Sequence, residues 1–289
     1  PLFDAAAIPD NVPRVLERVA EHFARGARVW PQVQTRPIDI SFSLDMASLY
    51  FIQLPMWYMI LRMPRDQRLA LLRNEGTRQG PIDAAEPGGD TTRFAGLRVR
   101  DSRDASLIGR TLGEIAAERG TTPAGAMIDL SLEEDLGVHF LSARMGHEDP
   151  SRIGPLLANE LVHVGASDGG AHIQSFATYG DTGYLFSEFV RAGRHLSLEH
   201  AVRKITGDTA QIWGLPDRGM LRPGMAADVV VFDPGTIARG EETPVHDMPE
   251  AGMRYVRSAR GVDTVIVNGE IAWTAGGGYT DARPGVIAT

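Results

Sequence analysis

The stretch Val164-Gly165-Ala166-Ser167-Asp168-Gly169-Gly170-Ala171-His172 is the most direct indication of the fold of this chain. The apolar segment 161–166 predicts a β-strand, and an acid and two glycines follow that strand. A carboxylate just past the carboxyl end of a strand is poorly placed for packing and well placed for chemistry, because α/β barrels build their active sites at that rim. Ser, Asp and Gly are also ordinary turn formers. The stretch alone therefore leaves a turn and an active-site carboxylate open.

The composition restricts the class of protein. The chain has 289 residues, of which 43% are hydrophobic, so it is long enough for one large or two modest domains with a real core. The formal net charge of -8 argues against nucleic acid as a partner. No apolar run reaches the roughly 18 residues that span a membrane. The absence of Cys excludes disulfides, thiolate ligands and a cysteine nucleophile, and it agrees with a cytoplasmic location.

The first 213 residues alternate helical and strand patterns. Apolar residues at helical spacing predict a helix over 8–26, and a strand over 28–35 follows it after a tight turn. Further strands are predicted over 138–143 and 161–166, and Asp181 is predicted to cap a helix. The polar segment 76–103, rich in Gly and Pro, is predicted to be a long surface loop.

The pattern changes after residue 213. Arg222-Pro223-Gly224 suits a type II turn, 228–232 reads as a short strand, and Asn268-Gly269 between two apolar runs predicts a hairpin. We therefore expect two domains: 1–213 as a partial (β/α) barrel with an inserted loop near 76–103, and 214–289 as a small β domain. Three predicted strands cannot close an eight-stranded barrel, which needs about 200 to 250 residues and eight βα units.

Five stretches taken in order resemble one protein family. They are Val29 to Val33 with Arg36-Pro37, Val164 to His172, Leu198 to Gly207, Arg218 to Pro234, and Gly261 to Gly269. On these residues the chain resembles the carboxyl-terminal portion of the amidohydrolase superfamily, specifically the N-acyl-D-amino-acid deacylase (D-aminoacylase) group. The resemblance covers essentially the whole chain.

The resemblance implies an α/β fold: the carboxyl-terminal part of a metal-dependent hydrolase (β/α)₈ barrel (a TIM barrel), with a small β-sandwich domain. It implies one or two Zn²⁺ ions and makes Asp168 a metal ligand or general base. The sequence has no His-x-His pair and no Cys, and Lys204 matches no bridging position. Most zinc ligands are therefore expected outside this chain, in a missing amino-terminal segment of the same protein. Whether the chain forms a homo-oligomer is left open.

Amide hydrolysis explains the choice of site residues. Bound Zn²⁺ lowers the pKa of a water to about 7, and Asp168 is the candidate to take the proton of that water and return it to the departing nitrogen. Gly169 and Gly170 would let the backbone approach the substrate. His172 would hydrogen-bond the substrate or Asp168, although it also reads as a loop histidine without a role.

Two other side chains are candidates for substrate binding. Arg36 follows a strand and would pair with a substrate carboxylate, because a guanidinium suits that geometry. A surface ion pair is the plainer interpretation of this arginine. Tyr179 is a weaker candidate of the same kind. The predicted function is the hydrolysis of linear amides, most of all the deacylation of N-acyl-D-amino acids.

Two rival hypotheses stay open. Gly165-Ala166-Ser167-Asp168-Gly169 also spells a nucleophile elbow, in which Ser167 attacks, but the glycines that follow make a poor start for the helix which that motif requires. Alternatively the chain is an inactive or partner-dependent half with a binding role, because most metal ligands are absent from it. The metal content of a preparation would discriminate between these hypotheses.

Overall fold

A computed structural model describes residues 2–5, 8–165, 170–177, 179–249 and 252–287. The chain divides into two compact units: unit 1 comprises residues 1–37, 146–173 and 177–289, and unit 2 comprises residues 38–145 and 174–176. Neither unit begins or ends at residue 214, so the domain boundary expected there stays a prediction. No helix in the described part of the chain is both long and apolar enough to cross a membrane.

Unit 1 contains a parallel strand pair, an antiparallel sheet and a long hairpin. Its first helix begins at Asn11, with Pro13 in its first turn, and Gly26 follows its end with a φ of 91°. The helices and strands of unit 1 are α1 Asn11–Ala24, β1 Gln32–Val33, α8 Pro150–Ala158, β5 His163–Val164, α9 Asp181–Tyr184 with a π-helical continuation Leu185–Ala192, α10 Leu198–Ile205, α11 Gly207–Trp213, β6 Val229–Phe232, β7 Ala238–Met248, β8 Gly252–Arg260, β9 Val262–Val267, β10 Glu270–Thr274 and β11 Gly278–Tyr279.

The strand order explains the second half of unit 1. Strands β11, β10, β9 and β6 form one antiparallel sheet in that order, and β7 pairs with β8 in a separate hairpin. The predicted Asn268-Gly269 turn joins β9 to β10, and both residues have the positive φ angles, 48° and 86°, that a tight hairpin requires. The hairpin expected at this position is therefore confirmed.

Unit 2 is built from helices and a three-stranded antiparallel sheet. Its elements are β2 Ile38–Phe42, α2 Pro55–Leu61, α3 Arg65–Arg73, α4 Glu75–Ala85, α5 Thr92–Ala95, β3 Arg98–Asp101, α6 Leu112–Arg119, α7 Pro123–Glu133 and β4 His139–Met145. Short 3₁₀ turns lie at Leu49–Phe51, Pro87–Gly89 and Ala105–Leu107.

Two expectations about unit 2 were wrong. The segment 76–103 is not a long loop, because α4, α5 and β3 occupy most of it and bury Ile82, Ala85 and Phe94. Strand β4 is present as predicted, but it pairs antiparallel with β2 and β3 and is not a further parallel strand of the barrel. Polar surface residues surround these buried positions, so the composition of the segment did not indicate its helices.

Each unit has its own core. In unit 2 the aromatic rings of Phe42, Phe51, Trp57 and Phe94 pack together, and Trp57 donates its indole N–H to the Pro81 carbonyl oxygen at 2.9 Å. The core of unit 1 packs α8, α9 with its continuation, and α10 around β1 and β5, through Val33, Ile153, Leu157, Leu185, Phe189 and Ala201 among others. The parallel strand pair therefore lies inside a packed core, which fixes the position of its carboxyl edge.

Candidate functional site

Strands β1 and β5 bring two predicted site segments to the same edge. They pair in parallel, with Gln32 opposite His163 and Val33 opposite Val164. Because parallel strands end at the same edge, the segment 34–36 after β1 and the segment after Val164 both leave the pair at its carboxyl side. This is the side where open and closed α/β sheets place their ligands. The parallel pairing thus brings the ends of these two segments to one edge.

The principal candidate, Asp168, lies outside the described residues. The same is true of Gly169 and of Ser167, the nucleophile in the rival serine hypothesis. Their roles therefore stay predictions. What can be described is the frame of this stretch: β5 before it, Gly170 after it, and β1, which pairs with β5.

Arg36 lies in that frame and is buried. Only 3% of the residue is exposed, so the plain surface ion pair that the sequence also allowed is wrong for this arginine. Its Nε donates to an Asp181 carboxylate oxygen at 3.2 Å, and one terminal nitrogen donates to the Pro37 carbonyl oxygen at 3.4 Å. A substrate carboxylate would thus meet a guanidinium that already has one anionic partner. Substrate binding by Arg36 stays a prediction.

Asp181 has a different role from the one its position suggests. Helix α9 begins at Asp181 itself, and the capping position is Gly180, so the prediction that Asp181 caps this helix is wrong. Its carboxylate instead accepts the backbone N–H of Thr35 and the guanidinium of Arg36, and its carbonyl oxygen accepts the Thr35 hydroxyl at 2.8 Å. The beginning of α9 is thereby tied to the segment that follows β1. Nothing in the sequence predicts this pairing of residues 145 positions apart.

The remaining predicted residues lie after the undescribed stretch. Gly170 and His172 are exposed and have positive φ angles of 93° and 54°. Glycine adopts this conformation without strain, and histidine adopts it more readily than most residues. The Tyr179 hydroxyl accepts the backbone N–H of Arg257 at 3.1 Å, so it contacts β8. Their contacts with substrate stay predictions.

A buried histidine that the sequence did not single out lies close to this frame. His147 is 2% exposed, and its ring lies beside backbone groups of Gln34 and Leu2, which favour its protonated form. Burial lowers its pKa below the ordinary value of 6.5, and the carboxylates of Asp4 and Asp181 oppose that shift only in part. The ring contacts Phe3, with a centroid separation of 5.2 Å. An isolated histidine without ligand spacing gives no sequence signal, so only the structure identifies it.

A second polar cluster lies beside β5. The Lys204 ammonium is buried and donates to the carbonyl oxygens of Asn159 at 2.7 Å and Val162 at 2.8 Å. Burial lowers its pKa, and burial together with the Lys204 charge lowers the pKa of His163. These carbonyls precede β5, so Lys204 supports the strand at the end away from the candidate site.

Whether zinc fits is a question of donor groups. A zinc site takes three or four ligands from His, Cys, Asp or Glu. Among the described residues, which leave out 166–169, no three such side chains converge in a group that could hold a metal ion. The described part of the chain thus does not form a zinc site by itself, and no chemical step through zinc follows from it.

The family follows from comparison with known proteins. The model of the amidohydrolase family matches residues 72–272, which is more than half of the sequence. The chain therefore belongs to the amidohydrolase family.

Three relatives match shorter stretches. The N-acyl-D-aspartate deacylase of Alcaligenes xylosoxydans xylosoxydans is 32% identical over 184 residues, covering 62% of this chain and 32% of that protein. The D-aminoacylase of the same organism is 34% identical over 176 residues, covering 58% and 31%. An uncharacterized protein of Mycobacterium tuberculosis is 38% identical over 136 residues, covering 45% and 22%. The sequence-based resemblance to the deacylase group is confirmed, and the matches span about a third or less of each relative's length.

A solved structure agrees on the fold. The zinc- and phosphonate-bound N-acyl-D-glutamate deacylase of Bordetella bronchiseptica superimposes with a TM-score of 0.51 and 22% identity, covering 96% of this chain and 46% of that one. At this identity the likeness shows the fold alone. The predicted α/β fold class, part of an amidohydrolase, is confirmed.

Proposed function

We propose that this chain is part of a metal-dependent amide hydrolase that deacylates N-acyl-D-amino acids. Membership of the amidohydrolase family supports the reaction class, and the deacylase relatives support the substrate class. The observation that carries the proposal in the structure is the parallel pairing of β1 with β5, because it brings the segment after Val164 and the segment 34–36 to one carboxyl edge.

Asp168 would move the proton. It follows β5 by four residues in the sequence. A carboxylate there would accept a proton from the attacking water and return it to the amine nitrogen that leaves, a role worth typically 10² to 10⁴ in rate. Arg36 would bind the carboxylate of the substrate and so orient the substrate, while Asp181 holds the guanidinium in place. His172, Tyr179 and the backbone at Gly169 and Gly170 would complete the binding surface.

The metal ligands would come chiefly from elsewhere. The described residues hold no group of three His, Asp or Glu side chains that fits zinc. We therefore propose that a further segment of the same protein supplies most ligands and that Asp168 adds one. If no such segment joins the chain, the alternative hypothesis holds: the chain is a catalytically inactive part of a protein and has a binding role.

The experiment measures metal and activity together. The 289-residue chain alone and the same chain with any amino-terminal extension that its gene encodes are purified, and their zinc content is measured by plasma mass spectrometry. Release of free amino acid from N-acetyl-D-aspartate, N-acetyl-D-glutamate and their L enantiomers is then followed by chromatography. We expect zinc and D-selective hydrolysis only where the extension is present.

The Asp168→Asn variant tests the assigned role. It should fold normally and lower kcat at least about 100-fold, whereas Asp217→Asn, at a carboxylate that is 57% exposed, should not change kcat. An unchanged kcat in Asp168→Asn would refute the assignment. Loss of activity in Ser167→Ala with full activity after chelation would favour the serine hypothesis instead.

A further inference from the structure

A surface groove of unit 1 runs along helix α1, beside the segment that leads into β1. We call it the α1 groove, and its volume is about 610 Å³. The lining does not include Arg36, Gly170, His172 or Tyr179, so the groove is separate from the described candidates for substrate binding. The described residues that line it are Arg14, Val15, Arg18, Val19, His22, Ala27 and Val29.

Apolar side chains form one side of the α1 groove. Val15 and Val19 lie half-buried on α1, one helical turn apart, and Val29 on the facing segment is 57% exposed. Single exposed hydrophobic residues are common, but a row of them in a concave site marks a place where a partner removes apolar surface from water. The volume lies in the range of about 300 to 1,000 Å³ that is typical of ligand sites. The groove is therefore large enough for several side chains of a partner.

Basic side chains form the other side of the groove. Arg14, Arg18 and His22 follow one another every four residues, so they lie on the same side of α1 in a row about 12 Å long. No hydrogen bond or ion pair joins any of these three side chains to a described residue. Glu17 and Glu21, the acids of α1, do not line the groove. The described lining thus carries unpaired positive charge, although the chain as a whole has a net charge of -8.

The spacing of these charges points to a helix as the occupant. A small acid or a lipid headgroup carries one anionic group and would leave most of the basic row without a partner. A helix with Asp or Glu at every fourth residue repeats its charges at the same interval of about 6 Å, so its acids would meet the whole row while an adjacent apolar face covers Val15 and Val19. A nucleic acid would bring phosphates without such an apolar face, and the net charge of the chain repels it.

The place of the groove favours a separate polypeptide as the source of this helix. Ala27 and Val29 precede β1, so the groove lies at the amino end of that strand. The segment proposed to supply metal ligands is required at the opposite, carboxyl edge. The two surfaces therefore call for different partners.

We propose that the α1 groove binds an acidic amphipathic helix of a partner protein. Carboxylates of that helix pair with Arg14, Arg18 and His22, and its apolar face packs on Val15 and Val19. Each exposed charge pair contributes little by itself, so the apolar contact supplies the affinity, while the row of charges fixes the orientation and the choice of partner. This docking does not depend on the proposed hydrolase activity.

Model peptides test the proposal directly on the 289-residue chain. One labelled peptide of about 18 residues forms an amphipathic helix of Leu and Ala with Glu at every fourth position, and a second peptide carries Lys at the same positions. Binding is measured by fluorescence anisotropy. We expect saturable binding of the Glu peptide that weakens as NaCl is raised, and at least about tenfold weaker binding of the Lys peptide.

Matched variants locate the binding. Arg18→Glu turns one attraction into a repulsion and should weaken binding of the Glu peptide at least about tenfold. Arg222→Glu makes the same charge change at an exposed arginine that does not line the groove, so binding should change less than about twofold. The double variant Arg14→Glu with Arg18→Glu should prefer the Lys peptide over the Glu peptide. Circular dichroism checks that the variants fold.

Several results would overturn the proposal. They are the absence of saturable binding, equal affinity for both peptides, and equal losses in Arg18→Glu and Arg222→Glu. Tighter binding of a single-stranded oligonucleotide than of the Glu peptide would assign the groove to nucleic acid instead. Dimerisation of the chain that Arg18→Glu abolishes, measured by sedimentation, would assign it to a second copy. Loss of peptide binding when an amino-terminal extension is present would show that the same protein covers the groove.

Discussion

The ion pair between Arg36 and Asp181 allows the sharpest prediction about unit 1. The two side chains are only 4% and 11% exposed, and their closest atoms are 3.2 Å apart. Asp181→Ala removes the carboxylate that the buried Arg36 guanidinium binds. It also removes the acceptor of the Thr35 backbone N–H. The geometry thus predicts a large destabilisation from a single small substitution at the beginning of a short helix.

The magnitude follows from the burial of both partners. Removing one member of a buried pair costs about 3–5 kcal/mol, because the remaining charge keeps its desolvation penalty without its compensation. The double variant Arg36→Met with Asp181→Leu removes both charges and fills the space with apolar atoms. It should recover most of the loss, since replacing a whole buried pair is often neutral. The difference between single and double variants is the signature of an uncompensated charge.

Urea unfolding followed by tryptophan fluorescence measures these free energies. Three of the four tryptophans, at positions 30, 213 and 273, belong to unit 1, so the signal reports mainly on that unit. The matched control is Glu160→Ala, which breaks an ion pair with Arg203 whose side chains are 62% and 55% exposed. That change should leave the unfolding free energy almost unaltered. A loss below about 1 kcal/mol in Asp181→Ala would refute the reasoning, because it lies far under the range for a buried pair.

Two further predictions concern buried groups of unit 1. Because the folded pKa of His147 is lowered from 6.5, the unfolded chain binds more protons just below that pH, and stability should fall with decreasing pH by up to about 1.4 kcal/mol per unit. In His147→Leu that slope, measured by urea unfolding between pH 5 and pH 8, should decrease, whereas His22→Leu at an exposed position should keep it. Lys204→Met deprives two carbonyl oxygens of their donor and should cost about 2–4 kcal/mol. Lys204→Arg retains a donor, so a loss as large as that of Lys204→Met would contradict this account.

Local signals in the sequence predicted the local structure of unit 1. The apolar spacing of α1, the Asn268-Gly269 hairpin and the strands β1 and β5 were all expected, because each depends on residues close together in the chain. Unit 2 was harder to predict. Its sheet pairs β2 with β4 across about a hundred residues, and the buried face of α4 consists of a few apolar residues between polar ones. Sequence periodicity carries little information about either feature.

The contacts of the candidate site were even harder to predict from the sequence. Arg36 was a candidate because it follows a strand, but its burial and its contact with Asp181 depend on the packing of α9 against the segment after β1. His147 has no sequence motif at all. It is recognised only by the burial of its ring, which is a property of the folded chain. Resemblance to a family therefore indicated the reaction class, whereas the individual contacts required the structure.

The contacts of unit 1 also explain how the segment after β5 is anchored. At its start, Gly165 donates its backbone N–H to the Val33 carbonyl oxygen at 3.0 Å, which continues the pairing with β1. Further along, Ile173 accepts the Tyr255 N–H at 2.7 Å, Ala177 donates to Glu242, and Asp181 binds the segment that follows β1. The described residues on both sides of the stretch 166–169 are thus tied to β1 at one end and to the β7–β8 hairpin at the other.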